Sequence, residues 1–264
     1  MCRVAAIAIV LFLSPFTSVA FTSAAEWGDL TLRVVYDSDK LPKPKPIADA
    51  AGAPFCGGLA DLKTDDLLVN PKDRGVANVF VYLFEDSGKF AMHPDYAKPE
   101  KKEVIMANKG CAFEPKALTM RLSQTFVGTN PDPVGHNMKL DSFDNVSFNL
   151  AVAAGGKITN TFQVPEKTPL EVRCTSHNWM TGLLLVRGDP YAAVSDASGN
   201  IKLANLPVGK WKFRIWHQRR GFISKATLGG KAIEWQRGQI EWNIKPGKND
   251  LGELLVQPAV FKEM

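Results

Sequence analysis

The residues best equipped for chemistry lie in one short run, Cys174-Thr175-Ser176-His177-Asn178-Trp179-Met180. A thiolate, an imidazole and a thioether spaced as Cys-x2-His-x2-Met form a soft donor set, suited to copper rather than to magnesium, calcium or manganese. Such a loop needs a fourth partner. His136, in Pro133-Val134-Gly135-His136-Asn137, lies far enough upstream for two strands to intervene. Two histidines and a cysteine in a plane, with a more distant methionine, make a trigonal copper site whose chemistry is one-electron transfer. The expected donors are therefore His136, Cys174, His177 and Met180.

The loop resembles that of the cupredoxins, with a spacing like that of the amicyanin-like members. It departs from them at Ser176 and Asn178, where those loops carry prolines. The likeness extends upstream, because Phe113-x-Pro115-x-x-Leu118, then Asn130-Pro131-Asp132, then His136-Asn137 resemble the first half of such a domain. Residues 104–187 are covered. The resemblance implies a Greek-key β-sandwich with one type 1 copper: His136, Cys174 and His177 in the plane, Met180 as the weak axial ligand. It also implies that Asn137 ties the strand of the first histidine to Thr175, and that the partner is a redox protein, a cytochrome or a dehydrogenase. His177, on the loop, is the expected point of electron exchange.

The elements that must position these donors read as short strands at regular spacing, the pattern of an all-β sandwich. Leu170, Val172 and Cys174 alternate with Glu171 and Arg173, so a period of two places Cys174 on the inward face. Upstream, Val104–Met106 leads to the Cys111 region, and Ala117 to Val127 reads as one strand. Met138–Leu140, Val146–Leu150 and Lys157 to Val164 follow, and Leu183–Val186 returns the chain beneath the loop.

Length and composition are ordinary for a globular chain: 264 residues, 45% hydrophobic and 22% charged. Met1-Cys2-Arg3, the apolar run Val4 to Leu13 and small residues up to Ala25 read as a cleavable signal peptide over 1–25. The apolar run is too short for a membrane span, so export to a periplasmic or extracellular space is expected. Cleavage lowers the formal net charge of +5 by one, with Arg3. That mild excess is spread along the chain and gives no case for nucleic acid. Three cysteines then remain, and an odd count in an exported protein leaves one thiol needing a reason to stay unpaired. Copper ligation gives Cys174 that reason and leaves Cys56 and Cys111 free to form a disulfide; otherwise Cys174 pairs with one of them.

Histidine inventory limits the chemistry. The chain has four, His93, His136, His177 and His217. Two remain outside the site, too few for a multicopper oxidase cluster or for the three that copper nitrite reductases place on a second copper. Neither a haem attachment motif, a Cys-x-x-Cys pair, a phosphate-binding glycine loop nor a nucleophile elbow occurs. The expected protein is not an enzyme.

The flanks suggest a second small β-sandwich. Asp196 to Gly199 and Leu206-Pro207-x-Gly209, followed by the strand Lys210 to Ile215, resemble the second half of a carboxypeptidase regulatory-like module. Gly28 to Tyr36 with Gly75 to Leu83 resemble its first half. The expected division is 26–103 with 188–264 as this module and 104–187 as the copper unit, inserted or consecutive. Leu59 to Val69 shows partial helical spacing, and 85–103 reads as an exposed loop. The alternative function is a non-catalytic binding or adhesion protein, whose flanking module takes a carbohydrate or protein ligand.

Overall fold

The computed structural model describes residues 26–59, 62–84 and 90–261; the expected signal peptide lies outside them. The architecture is all-β, four sheets stacked in layers. Among the described residues no helix is long and apolar enough to cross a membrane.

One continuous central stretch, 103–187, builds the sandwich that carries the candidate donors. One sheet has the order β5 (Ala117–Arg121), β11 (Thr181–Arg187), β10 (Leu170–Arg173), β7 (His136–Leu140), β8 (Phe148–Val152). The facing sheet has the order β4 (Ala112–Glu114), β3 (Glu103–Lys109), β6 (Thr125–Thr129), β9 (Lys157–Asn160). Between them lies a core of Met106, Phe113, Met120, Phe126, Met138, Leu140, Val172 and Leu184. The run from Ala117 to Val127, read as one strand, is two. β5 belongs to one sheet and β6 to the other, and a turn at 122–124 moves the chain across, fastened by the Arg121 N–H donating to Gln124 Oε1 at 2.8 Å. The polar residues Arg121, Ser123 and Gln124 mark the break, but the apolar residues on either side face the same core and do not show that the strands lie in different sheets.

The remaining strands come from both ends of the chain and share sheets with one another. β1 (Trp27–Tyr36) is flanked antiparallel by β13 (Asn200–Pro207) and parallel by β19 (Gly247–Val256); β16 (Lys225–Leu228) and β17 (Lys231–Glu234) complete that sheet. β2 (Phe80–Leu83) lies between β12 (Ala192–Val194) and β14 (Gly209–His217), and β14 also pairs with β15 (Gly221–Phe222) and β18 (Gln239–Ile244). β2 starts only at Phe80, because Asn78, at φ +61°, kinks the chain just before it. Leu59 to Val69 is not helical where described; Lys63 bridges Pro46 and Val69 bridges Val76.

The layers meet through both faces of β2. Its Val81 and Leu83 enter the core shared with β1, whereas Phe80 and Tyr82 pack with Ala117, Leu183 and Leu185 of the donor-bearing sheet. A strand covered on both faces must be apolar throughout, as Phe80-Val81-Tyr82-Leu83 is.

Candidate metal centre

Each donor is placed by a sequence feature that can be followed outward from the core. Val172 of β10 pairs with Leu140 of β7, and the burial of β10 alternates, so Cys174, one residue past its end, turns inward and is buried. His136 opens β7, opposite Val152 of β8, and is buried. The Cys174–Met180 loop closes on itself: the Met180 N–H donates to the His177 carbonyl at 2.8 Å and the Cys174 N–H to the Met180 carbonyl at 3.2 Å. Met180 is buried in the same apolar core as Cys174.

Three side chains converge. His136 Nδ1 lies 3.0 Å from His177 Nδ1, and Cys174 Sγ lies 3.6 Å from His177 Nδ1 and 3.9 Å from His136 Nδ1. Bonds of roughly 2.0–2.3 Å meeting at 120° would give donor-to-donor edges of roughly 3.5–3.7 Å; the triangle's edges of 3.0, 3.6 and 3.9 Å bracket that size, so one metal ion can be held with only a small adjustment of the rings. The thiolate and two imidazoles suit a soft first-row ion.

Asn137 braces the arrangement. Its Oδ1 accepts from the Thr175 N–H at 2.7 Å and the Ser176 N–H at 3.3 Å, and lies 3.3 Å from Cys174 Sγ, which can donate to it when protonated. Its Nδ2 donates to Asn149 Oδ1 on β8. Cys56 and Cys111 form a disulfide, leaving Cys174 as the one free cysteine among the described residues.

The electrostatics favour an ionised sulfur. Burial alone would raise the Cys174 thiol, but the hydrogen bond to His136 and the backbone N–H groups of Asn137, Ser176 and His177 outweigh it and hold the thiol below its ordinary value. Burial pulls His136 down, yet its contacts with Cys174 and Asp132 leave it above the ordinary imidazole range. His177 is lowered by burial and by the charge of His136.

Two contributors escaped the sequence reading. Asp132 is buried, with Oδ2 2.9 Å from His136 Nε2. Lys116, also buried, donates from Nζ to Asp65 Oδ1 at 2.6 Å and to the carbonyl and hydroxyl of Thr181 at 2.7 Å each, beside Met180. Asp132 lies four residues before His136, a spacing diagnostic only where the local backbone is known. The other two histidines stand apart. His93 sits between the rings of Trp27 and Tyr96, and His217 is buried at the end of β14 against Phe261.

No protein-family model and no curated protein matches the chain. Solved structures do. Similarity extends to a copper-containing nitrite reductase (NirK) from Thermus scotoductus SA-01, at 21% identity over 37% of this chain and TM-score 0.32. The match spans only 27% of that reductase's length. An oxidised amicyanin variant is similar over 34% of this chain and 88% of its own, at 16% identity and TM-score 0.30. A purple cupredoxin from Nitrosopumilus maritimus is similar over 33% of this chain and 100% of its own, at 22% identity and TM-score 0.28.

Proposed function

We propose that the chain is an exported type 1 copper protein that carries single electrons between redox partners. The observation that carries this reading is the buried triangle of Cys174 Sγ, His136 Nδ1 and His177 Nδ1, with Met180 beside it as the weak fourth donor. Bound there, a copper ion would supply a one-electron couple. The chain's own part is positioning. Asn137 holds the Cys174 loop to β7, and the apolar core keeps water from the thiolate. Fixed donors limit rearrangement between the two oxidation states, which is what fast electron exchange requires.

His177 is only half-buried and its ring lies tilted against Trp179 at 5.2 Å between centroids, which supports it as the point of exchange with a cytochrome or dehydrogenase through a small, transient interface. The leader over 1–25 supports a periplasmic or extracellular location. Residues 104–187 act as the copper unit within a module built from 26–103 and 188–264, a division supported by the sheets that β1 and β2 share with strands of the C-terminal third. The role is non-catalytic.

Copper(II) added to the purified oxidised chain should bind one ion per protein and give an intense visible thiolate-to-copper band. Cys174→Ser should lose it. A colourless wild-type protein would sink the proposal, and would move attention to the flanking module as a carbohydrate- or protein-binding surface, which Cys174→Ser leaves intact.

A further inference from the structure

The hairpin joining β3 and β4 turns through two residues, Gly110 and Cys111, at φ +61° and +55°. Positive φ at both central positions is what a two-residue primed hairpin turn requires. Glycine adopts it freely, but Cys111 does not. An L-residue persists in such a conformation only where its surroundings over-determine it, and such sites cluster where position matters for function. Here the surroundings are explicit. The Cys111 side chain is bonded to Cys56. Its N–H donates to Asp132 Oδ2 at 2.9 Å, and that of Gly110 to Asp132 Oδ1 at 2.7 Å. Its carbonyl accepts from Trp179 Nε1 at 3.2 Å.

This corner therefore touches both halves of the donor set. Asp132 Oδ2, while accepting from Cys111, also faces His136 Nε2 at 2.9 Å, so the ring proton belongs on Nε2 and the Nδ1 lone pair is left facing Cys174 and His177. Outer hydrogen bonds of this kind fix the tautomer and ring plane of a ligating histidine. The loop bearing Asp132 is itself pinned by buried Asn130, whose Oδ1 accepts from the Asp132 N–H and whose Nδ2 donates to the Val134 and Val152 carbonyls. Trp179, between His177 and Met180, is the second tether.

We infer that Asp132 is a positioning residue for His136, and that the Cys56–Cys111 disulfide, through the Gly110-Cys111 turn, is the mount that holds both Asp132 and Trp179 against the donor set. The inference rests on the copper reading for its purpose and not for its geometry. The disulfide, in a segment far from the ligands in sequence, thereby has a part in metal binding.

The test uses the full chain and two variants, Asp132→Ala and the double change Cys56→Ser with Cys111→Ser, each checked for native circular dichroism. Nitrogen NMR of the metal-free protein reads which ring nitrogen of His136 bears the proton. In the neutral ring of the wild type the proton should sit on Nε2, and Asp132→Ala should mix the tautomers. An Nδ1–H tautomer in the wild type overturns the inference, whether or not either variant folds. Copper affinity by competition with a chelator should fall about 10- to 100-fold in both variants. Affinity within twofold of wild type in a folded double variant would reduce the disulfide to a staple and overturn its role as mount. A wild-type chain that binds no copper but shows the Nε2–H tautomer would remove the proposed function while upholding the Asp132 contact.

Discussion

At the scale of single residues, each donor has a distinct consequence. Met180→Leu keeps the thiolate and both imidazoles, so the visible band should persist while the reduction potential rises, because the oxidised ion loses a donor; voltammetry of the loaded variant checks this, and an unchanged potential would remove Met180 from the ligand set. Lys116 acts without touching a donor. Lys116→Met keeps the aliphatic stem but strips Asp65 of its ion pair and the Thr181 carbonyl of a donor. Asp65 retains some water, which places the loss at about 2 kcal/mol, below the figure for a wholly buried pair, measurable by urea unfolding. The convergence of His136, Cys174 and His177 was legible from the sequence because type and spacing alone suggest a soft set. Asp132 and Lys116 were not, since a lone carboxylate or ammonium acquires meaning only from where the fold aims it.

At the scale of elements, the alternation of β10 is the feature that delivers Cys174 to the core, and it could be read directly from Leu170, Val172 and Cys174 against Glu171 and Arg173. Arg121, Ser123 and Gln124 interrupt the apolar run between β5 and β6, but that the two halves lie in opposite sheets has no local signal, because both line one core. Close approach of the sheets is visible at Gly128 on β6: a Cβ there would lie 2.3 Å from Met138 Sδ and 2.9 Å from Ile158 Cγ1. Met138 is buried two residues beyond His136, so added volume presses on the strand that carries the first histidine. Gly128→Ala should cost about 1–3 kcal/mol by overpacking, seen as a lower unfolding midpoint. No loss of stability would mean that Met138 can swing aside and that the two sheets are not in tight register at this point.

At the scale of the whole molecule, the layers are tied by groups at their seams. His217, at the end of β14, accepts from the Arg219 N–H through Nδ1 at 3.2 Å and lies against Phe261. Burial above all, then the charges of Arg219 and Lys116, push its imidazole down to about 3, against about 6.5 in an unfolded chain. Between those values the unfolded chain takes up a proton that the folded one refuses. The stability from neutral His217 is thus complete above about pH 6.5 and falls as the pH drops toward about 3. His217→Gln, which keeps an acceptor and cannot titrate, should flatten that slope; urea midpoints of the metal-free proteins at about pH 7.5 and about pH 4.5 test it. A slope unchanged by the substitution would place the acid sensitivity elsewhere. The pairing of Cys56 with Cys111 spans 55 residues, and loop closure of that length contributes about 4 kcal/mol to stability, in addition to any part in mounting Asp132. The sharing of sheets between the two ends of the chain was legible only in outline, from the turn and strand pattern around Asp196 to Gly209; parallel pairing of β1 with β19 joins segments with no local signal linking them.

The proposed function requires the buried triangle to hold an ion that cycles by one electron. A spectroelectrochemical titration of the copper-loaded protein tests it most directly. The visible band should bleach with one electron per chain and return in full on reoxidation, with no copper lost to a chelator present throughout. A band that fails to bleach, that needs more than one electron, or that vanishes irreversibly as copper leaves would contradict it.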